Sequence, residues 1–265
     1  MKIVLSKMKT IHENPIQYYL NSEASPIHIN TLLNKKIEFE WDGVIYCRKC
    51  TKKTKKSFGE GFCYSCFSSA AEASPCILKP ELCQAHLGIG RDIEYEEKHH
   101  NQPHIVYLAA TDKVKVGVTR ETQVPTRWID QGAYETIVLA RTPNRYLAGV
   151  IEVALKSIYS DKTNWRSMLK NTIDDSIDLV EEKWSSCELL PSDLQEYYSE
   201  EEAISQFIFP VAKYPEKVTS LSLDKTATLG GVLTGIKGQY LIFDHQFVFN
   251  IRRHTSYEIN LKINE

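Results

Sequence analysis

The chain has 265 residues, 42 % hydrophobic and 25 % charged, with a formal net charge of −2. That is an ordinary composition for a globular protein long enough for two or three small domains, and no apolar run approaches the ~20 residues of a membrane helix. The opening Met1-Lys2-Ile3-Val4-Leu5 is too short an apolar run for a secretory signal, so a cytoplasmic location is expected. The near-neutral total hides an asymmetry: residues 48–56 are strongly basic, whereas 174–202 carry eleven carboxylates and only Lys183. A nucleic-acid partner would approach the first face and avoid the second.

In chain order, residues 1–46 have β character. Ile37-Glu38-Phe39-Glu40-Trp41 alternates, Asp42-Gly43 is a hairpin signal, and Val44-Ile45-Tyr46 leads to Cys47. Cys47, Cys50, Cys63 and Cys66 read C-x2-C, twelve residues, C-x2-C. Two knuckles at that spacing can close a tetrahedral Zn²⁺ shell. Disulfides suit an exported chain, and a redox C-x-x-C would need no second copy. The expectation is a structural zinc whose full shell leaves no position for chemistry.

Between the knuckles, Arg48, Lys49, Lys52, Lys53, Lys55 and Lys56 place six cations in nine residues. They are either a solvated surface or a phosphate-binding loop that gains from counterion release. Phe58, Phe62, Tyr64 and Phe67 follow. One or two would fill the small ribbon core, leaving the others to stack on bases.

Cys76, Cys83 and His86 follow at C-x6-C-x2-H spacing, with His99, His100 and His104 further on. A second zinc on Cys76, Cys83, His86 and His100 competes with a reading of buried thiols and solvated histidines. Residues 88–103 read as a loop ending in Gln102-Pro103, and Cys187 stands alone as a small apolar side chain.

His104–Ala110 and Val114–Thr119 read as strands joined by Thr111-Asp112-Lys113. A short helix follows, with Pro125 near its first turn and Gly132 just past its end. Leu147, Val150, Ile151, Ala154, Leu155 and Ile158 form one helical apolar face, and Ile173, Ile177, Val180 and Trp184 a second. Beyond Pro210 strands return, with Asp244-His245-Gln246 turning between Tyr240–Phe243 and Phe247–Ile251, and this β segment is expected to share a sheet or barrel with the N-terminal strands. Gly231–Gly238 lacks the Gly-Lys-Ser/Thr ending of a phosphate loop and reads as a glycine-rich turn.

Val106-Tyr107, Lys115-Val116-Gly117, Arg127, Glu152 and Asn164 together resemble the GIY-YIG nuclease superfamily across residues 104–166. The resemblance implies a small antiparallel sheet flanked by helices and metal-dependent cleavage of DNA or RNA. Tyr107 would be the base, Arg127 the phosphate ligand, Glu152 the Mg²⁺ or Mn²⁺ ligand and Asn164 the closing residue. Lys115 stands where the family has its second tyrosine, which fits a retuned site and a silenced one alike. Each residue also has a structural explanation. Tyr107 can be a packed aromatic and Lys115 can face water, while Arg127 can pair with Asp130 or Glu121 and Glu152 with Lys156. The whole chain also resembles an uncharacterised bacterial family joining a four-cysteine motif, this core and a C-terminal β segment.

The fold expected is α+β: a zinc ribbon with N-terminal strands (1–103), a GIY-YIG-like α/β core with an acidic helical extension (104–209) and a small C-terminal β domain (210–265). The function expected is nucleic-acid binding with phosphodiester hydrolysis. Its rival is a non-catalytic binding or regulatory protein on a degenerate nuclease scaffold.

Overall fold

The computed structural model describes residues 1–22, 24–159 and 164–264. The fold is mixed α+β and divides into two compact units, one formed by residues 1–68 with 207–265 and the other by 69–206. The three consecutive segments expected from sequence thus regroup, because the C-terminal strands pair with the N-terminal ones.

The first unit starts with β1 (Lys2–Val4), β2 (Lys9–Ile11), β3 (Gln17–Leu20), β4 (Ile27–His28), β5 (Lys36–Tyr46), β6 (Lys53–Thr54) and α1 (Tyr64–Ser69). It resumes with β11 (Thr219–Leu221), β12 (Thr228–Lys237), β13 (Tyr240–Phe243), β14 (Phe247–Asn250) and β15 (Tyr257–Asn264). Its main sheet runs β1-β15-β5-β12-β13-β14-β11, with β6 added to β5, and β2-β3-β4 form a separate sheet. Ile37 and Phe39 of β5 are buried, together with Leu233, Leu241, Phe243, Phe249 and Ile259.

Two turn signals yield to this sheet. Asp42-Gly43 is no hairpin: β5 runs through it, and Gly43 (φ +81°) takes up a register shift against β15 as a bulge. Gly230 and Gly231 lie within β12, not in a turn, and a Cβ on Gly230 would sit 2.1 Å from the Ile37 carbonyl oxygen. Asp244 and His245 do turn between β13 and β14, both at positive φ.

The second unit contains α2 (Ile93–His99), β7 (His104–Ala110), β8 (Val114–Arg120), α3 (Thr126–Asp130), β9 (Glu135–Thr142), α4 (Arg145–Leu155), α5 (Trp165–Lys170), α6 (Leu179–Cys187) and β10 (Ile204–Gln206). Its antiparallel sheet has the order β10-β9-β7-β8. Val106, Leu108, Ala110 and Val116 join Leu139 and the α4 residues Ala148, Ile151 and Leu155 in one core.

Two helix readings change. Residues 88–103, expected to be a loop, hold α2, capped by Asp92, which accepts a bond from the Tyr95 N–H at 3.0 Å. The acidic helix starts only after Asp178, leaving Ile173 and Ile177 outside it. Among the described residues, no helix is long and apolar enough to cross a membrane.

Candidate functional site

Three groupings carry the residues singled out by sequence. The first is the Cys47–Cys66 ribbon. Knuckle one folds because Thr51 N–H returns to the Cys47 carbonyl while Cys47 N–H donates to Lys52, with Thr51 at φ 59°. Knuckle two is closed by paired bonds between Phe58 and Phe62 around Gly59 and Gly61, and α1 then carries Cys66. The four Sγ atoms lie within 4.8 Å of one another. Cys50 and Cys63 are 3.9 Å apart. A Zn–S distance near 2.3 Å in a tetrahedron separates sulfurs by about 3.8 Å, whereas a disulfide needs about 2.05 Å. The donor set therefore fits zinc.

Thiol acidity agrees. Burial raises the Cys47 thiol, but backbone N–H groups of Cys50, Cys63 and Lys49 outweigh it and bring it to about 6. Cys66 is pushed up to about 12, chiefly by its hydrogen bond with Cys63. Four crowded thiols resist joint ionisation, and a divalent cation at their centre removes that resistance.

Around this knuckle Arg48, Lys49, Lys52, Lys53, Lys55 and Lys56 are all exposed. Some rest on the ribbon aromatics: Arg48 lies over Phe62 at 5.2 Å, Lys53 over Tyr46 at 5.8 Å and Lys56 over Phe58 at 5.4 Å. Phe62 is buried as the ribbon core, while Tyr64 and Phe67 are exposed. A groove of 720 Å³ beside the loop is lined by Lys55, Lys56, Arg252 and Arg253, together with Glu60 and Asp224. Glu60 pairs with Arg252 at 2.8 Å and Asp224 accepts from Tyr257 at 2.6 Å, so both acids are engaged within the protein. Arg252-Arg253 is a dibasic signal in the sequence, but it lies far from the loop along the chain, and only the sheet brings them together.

The second grouping surrounds Tyr107. Tyr107 of β7 faces Gly117 of β8, and a Cβ on Gly117 would meet its hydroxyl oxygen at 2.7 Å. The missing side chain leaves room for the ring, which packs edge-to-face on Trp128 and donates to Gln131 Oε1 at 2.7 Å. Tyr107 is 1 % exposed. Burial raises its pKa; Arg127 beside it opposes that rise, and Glu152 adds to it. Tyr107, Arg127 and Glu152, from three different elements, are therefore within electrostatic reach.

Lys115 is buried rather than water-facing and pairs with Asp112 at 3.2 Å; burial lowers its pKa. Glu152 pairs with Lys156 at 3.3 Å. Asn164 caps α5, accepting from Arg166 N–H at 3.2 Å and Ser167 N–H at 3.4 Å. Residues 160–163, inside the stretch that resembles the nuclease core, lie outside the described residues.

The third grouping corrects the expected second metal set. Cys76, Cys83 and His100 do come together, but their fourth neighbour is Glu96 and not His86. His86 instead stacks on Tyr146 with ring centroids 4.7 Å apart. Glu96 and His100 are one turn apart on α2, which the loop reading of this segment conceals.

These observations define a mixed α+β protein with a four-cysteine, zinc-type ribbon and a separate sheet-and-helix unit. A family model matches residues 34–259, and the chain belongs to that family, described as "Protein of unknown function (DUF2797)". No curated protein matches the chain, and no solved structure does.

Proposed function

We propose that this is a zinc-dependent nucleic-acid-binding protein whose ribbon presents Arg48, Lys49, Lys52, Lys53, Lys55 and Lys56 to a phosphate backbone. The observation that carries the reading is the exposure of all six cations around one four-cysteine knuckle, in a chain of net charge −2. A rigid loop orders its cations before binding, so less entropy is lost in the complex. Exposed Tyr64 and Phe67 beside them offer stacking surfaces. In the test, Lys52, Lys53, Lys55 and Lys56 are changed together to Ala. Affinity for DNA and RNA of any sequence should fall, and the slope of log K against log [salt] should flatten by about 0.9 for each duplex phosphate no longer neutralised. Unchanged affinity and slope would reduce the loop to a solvated surface.

A second reading, phosphodiester hydrolysis in the second unit, is favoured by the gathering of Tyr107, Arg127 and Glu152 in the order the nuclease resemblance requires. Glu152 is the one carboxylate of that set, which suits Mg²⁺ or Mn²⁺, ions often held by one or two carboxylates together with substrate phosphates. When bound, such an ion would supply charge neutralisation at the phosphate. Arg127 would bind the phosphate, and Tyr107 would have to emerge from its packing before taking a proton. Its burial and raised pKa, with Glu152 held by Lys156, favour the binding reading. The deciding assay is Mg²⁺- or Mn²⁺-dependent nicking of mixed DNA and RNA. If the site is active, Glu152→Gln abolishes cutting and Tyr107→Phe slows it, both with affinity retained. If the wild type cuts nothing, the protein is a binding module.

A further inference from the structure

We propose that Cys76, Cys83, Glu96 and His100 bind a second zinc ion, in a closed Cys₂-Glu-His centre that fastens the Pro75–Leu87 turns to α2. The two cysteines come from short 3₁₀ turns, Pro75–Ile77 and the segment after Pro80–Leu82. Glu96 and His100 come from α2 and its C-cap. One ligand atom from each of the four lies within 4.8 Å of the others, and all four side chains are buried. Cys76 Sγ lies 3.8 Å from His100 Nδ1. Tetrahedral ligation at Zn–S near 2.3 Å and Zn–N near 2.05 Å requires about 3.5 Å between such atoms, so this pair closes on an ion with a shift of a few tenths of an ångström. The Glu96–His100 contact has to open to the roughly 3.3 Å that an oxygen and a nitrogen span across zinc.

Chemistry favours an ion over a plain core. Small apolar side chains would fill this space at lower cost than two thiols, a carboxylate and an imidazole. Glu96 Oε2 and His100 Nδ1 share a hydrogen bond, and each of the two residues offers a ligand atom within 4.8 Å of both sulfurs. Two thiolates, one carboxylate and a neutral imidazole sum to −3, and Zn²⁺ leaves −1. Arg145 supplies the balancing positive charge. Its guanidinium lies in the field of Cys76 and Cys83, donating to the Cys76 carbonyl at 2.9 Å and the Ile77 carbonyl at 3.0 Å. Ser74 Oγ approaches Cys76 Sγ at 3.2 Å as an outer partner. Two sulfurs with one nitrogen and one oxygen in a tetrahedron suit zinc better than Mg²⁺, Ca²⁺ or Mn²⁺. A filled shell on buried ligands makes the site structural.

The test is metal analysis of the full chain, purified reduced and without chelator. Wild type should carry two zinc ions, Cys76→Ser/Cys83→Ser one, and Cys47→Ser/Cys63→Ser one. Cobalt(II) in Cys47→Ser/Cys63→Ser should give a thiolate charge-transfer band about half as strong as the four-cysteine site gives, since intensity follows the number of thiolates. Glu96→Gln should keep that band yet lose its metal to a weaker chelator than wild type needs. His86→Gln should change neither count nor spectrum. One zinc in wild type, or two retained by Cys76→Ser/Cys83→Ser, overturns the proposal. Should that variant not fold, Cys47→Ser/Cys63→Ser decides: one ion with a two-thiolate band supports the site, and no ion overturns it. The ribbon and its nucleic-acid reading stand or fall separately.

Discussion

The two cysteine clusters use the same chemistry in opposite settings. The Cys47–Cys66 ribbon is built from two local knuckles, each a C-x2-C pair, and three of its four cysteines are partly exposed. The Cys76–His100 cluster is fully buried and relies on packing: Arg145 anchors the turn that carries Cys76, and Gly149 of α4 lets the Pro80–Leu82 turn ahead of Cys83 approach. A partly exposed four-cysteine cluster can thus be specified by spacing alone, whereas a buried one needs the surrounding helices to deliver its side chains.

The largest effect should come from breaking the local cluster. Cys63→Ser should release its zinc and open the ribbon to proteolysis between residues 47 and 66, since structural zinc supplies apparent binding free energy of about 10–16 kcal/mol. Limited proteolysis with mass spectrometry should find residues 69–206 still protected; joint loss of both units would refute local specification.

Next is Arg145→Met, which keeps bulk but leaves the Cys76 and Ile77 carbonyls without their charged donor. Losing hydrogen bonds to a charged group should destabilise by about 3 kcal/mol in urea denaturation. It should loosen the buried cluster and leave metal in the ribbon unchanged.

Gly149→Ala tests the close approach. Its Cβ would lie 2.2 Å from the Glu81 amide nitrogen and 2.4 Å from the Pro80 carbonyl carbon, both backbone atoms that can only move by shifting the turn. The cost should be about 1–3 kcal/mol in the same titration. Wild-type stability would show that the turn is not held tightly against α4.

A separate test concerns a buried charge outside either cluster. Burial lowers the Lys237 pKa to about 7, although the ammonium lies 5.1 Å from the rings of both Phe209 and Tyr214. Because the unfolded lysine keeps its proton to about 10.4, the unfolded state binds more protons between these values, and stability rises with pH across that window. Thermal melts from pH 7 to 10 should therefore show wild type gaining on Lys237→Met. Parallel pH profiles for the two proteins would exclude the effect.

Features written in local spacing were legible before any fold was known. The four ribbon cysteines, the six-cation loop, the β7–β8 pair with its Thr111–Lys113 turn, α3 and α4 all follow from residues a few positions apart, because a knuckle, a two-strand turn and an amphipathic face are short-range devices. The Asp92 cap of α2, with Glu94 and Glu96 early and Lys98 and His99 late, was also present in the sequence, though the glycines of 88–90 drew the reading toward a loop. The rest depended on the assembled fold. Only pairing of β5 with β12 and β15 turned Asp42-Gly43 into a bulge, because a partner strand on each side holds an extended chain that would otherwise fold back. Only that sheet brought Arg252 and Arg253 to Lys55 and Lys56. Only helix geometry replaced His86 with Glu96, since a ligand set depends on where side chains meet in space, and residues one helical turn apart meet where residues adjacent in a C-x2-H spacing do not.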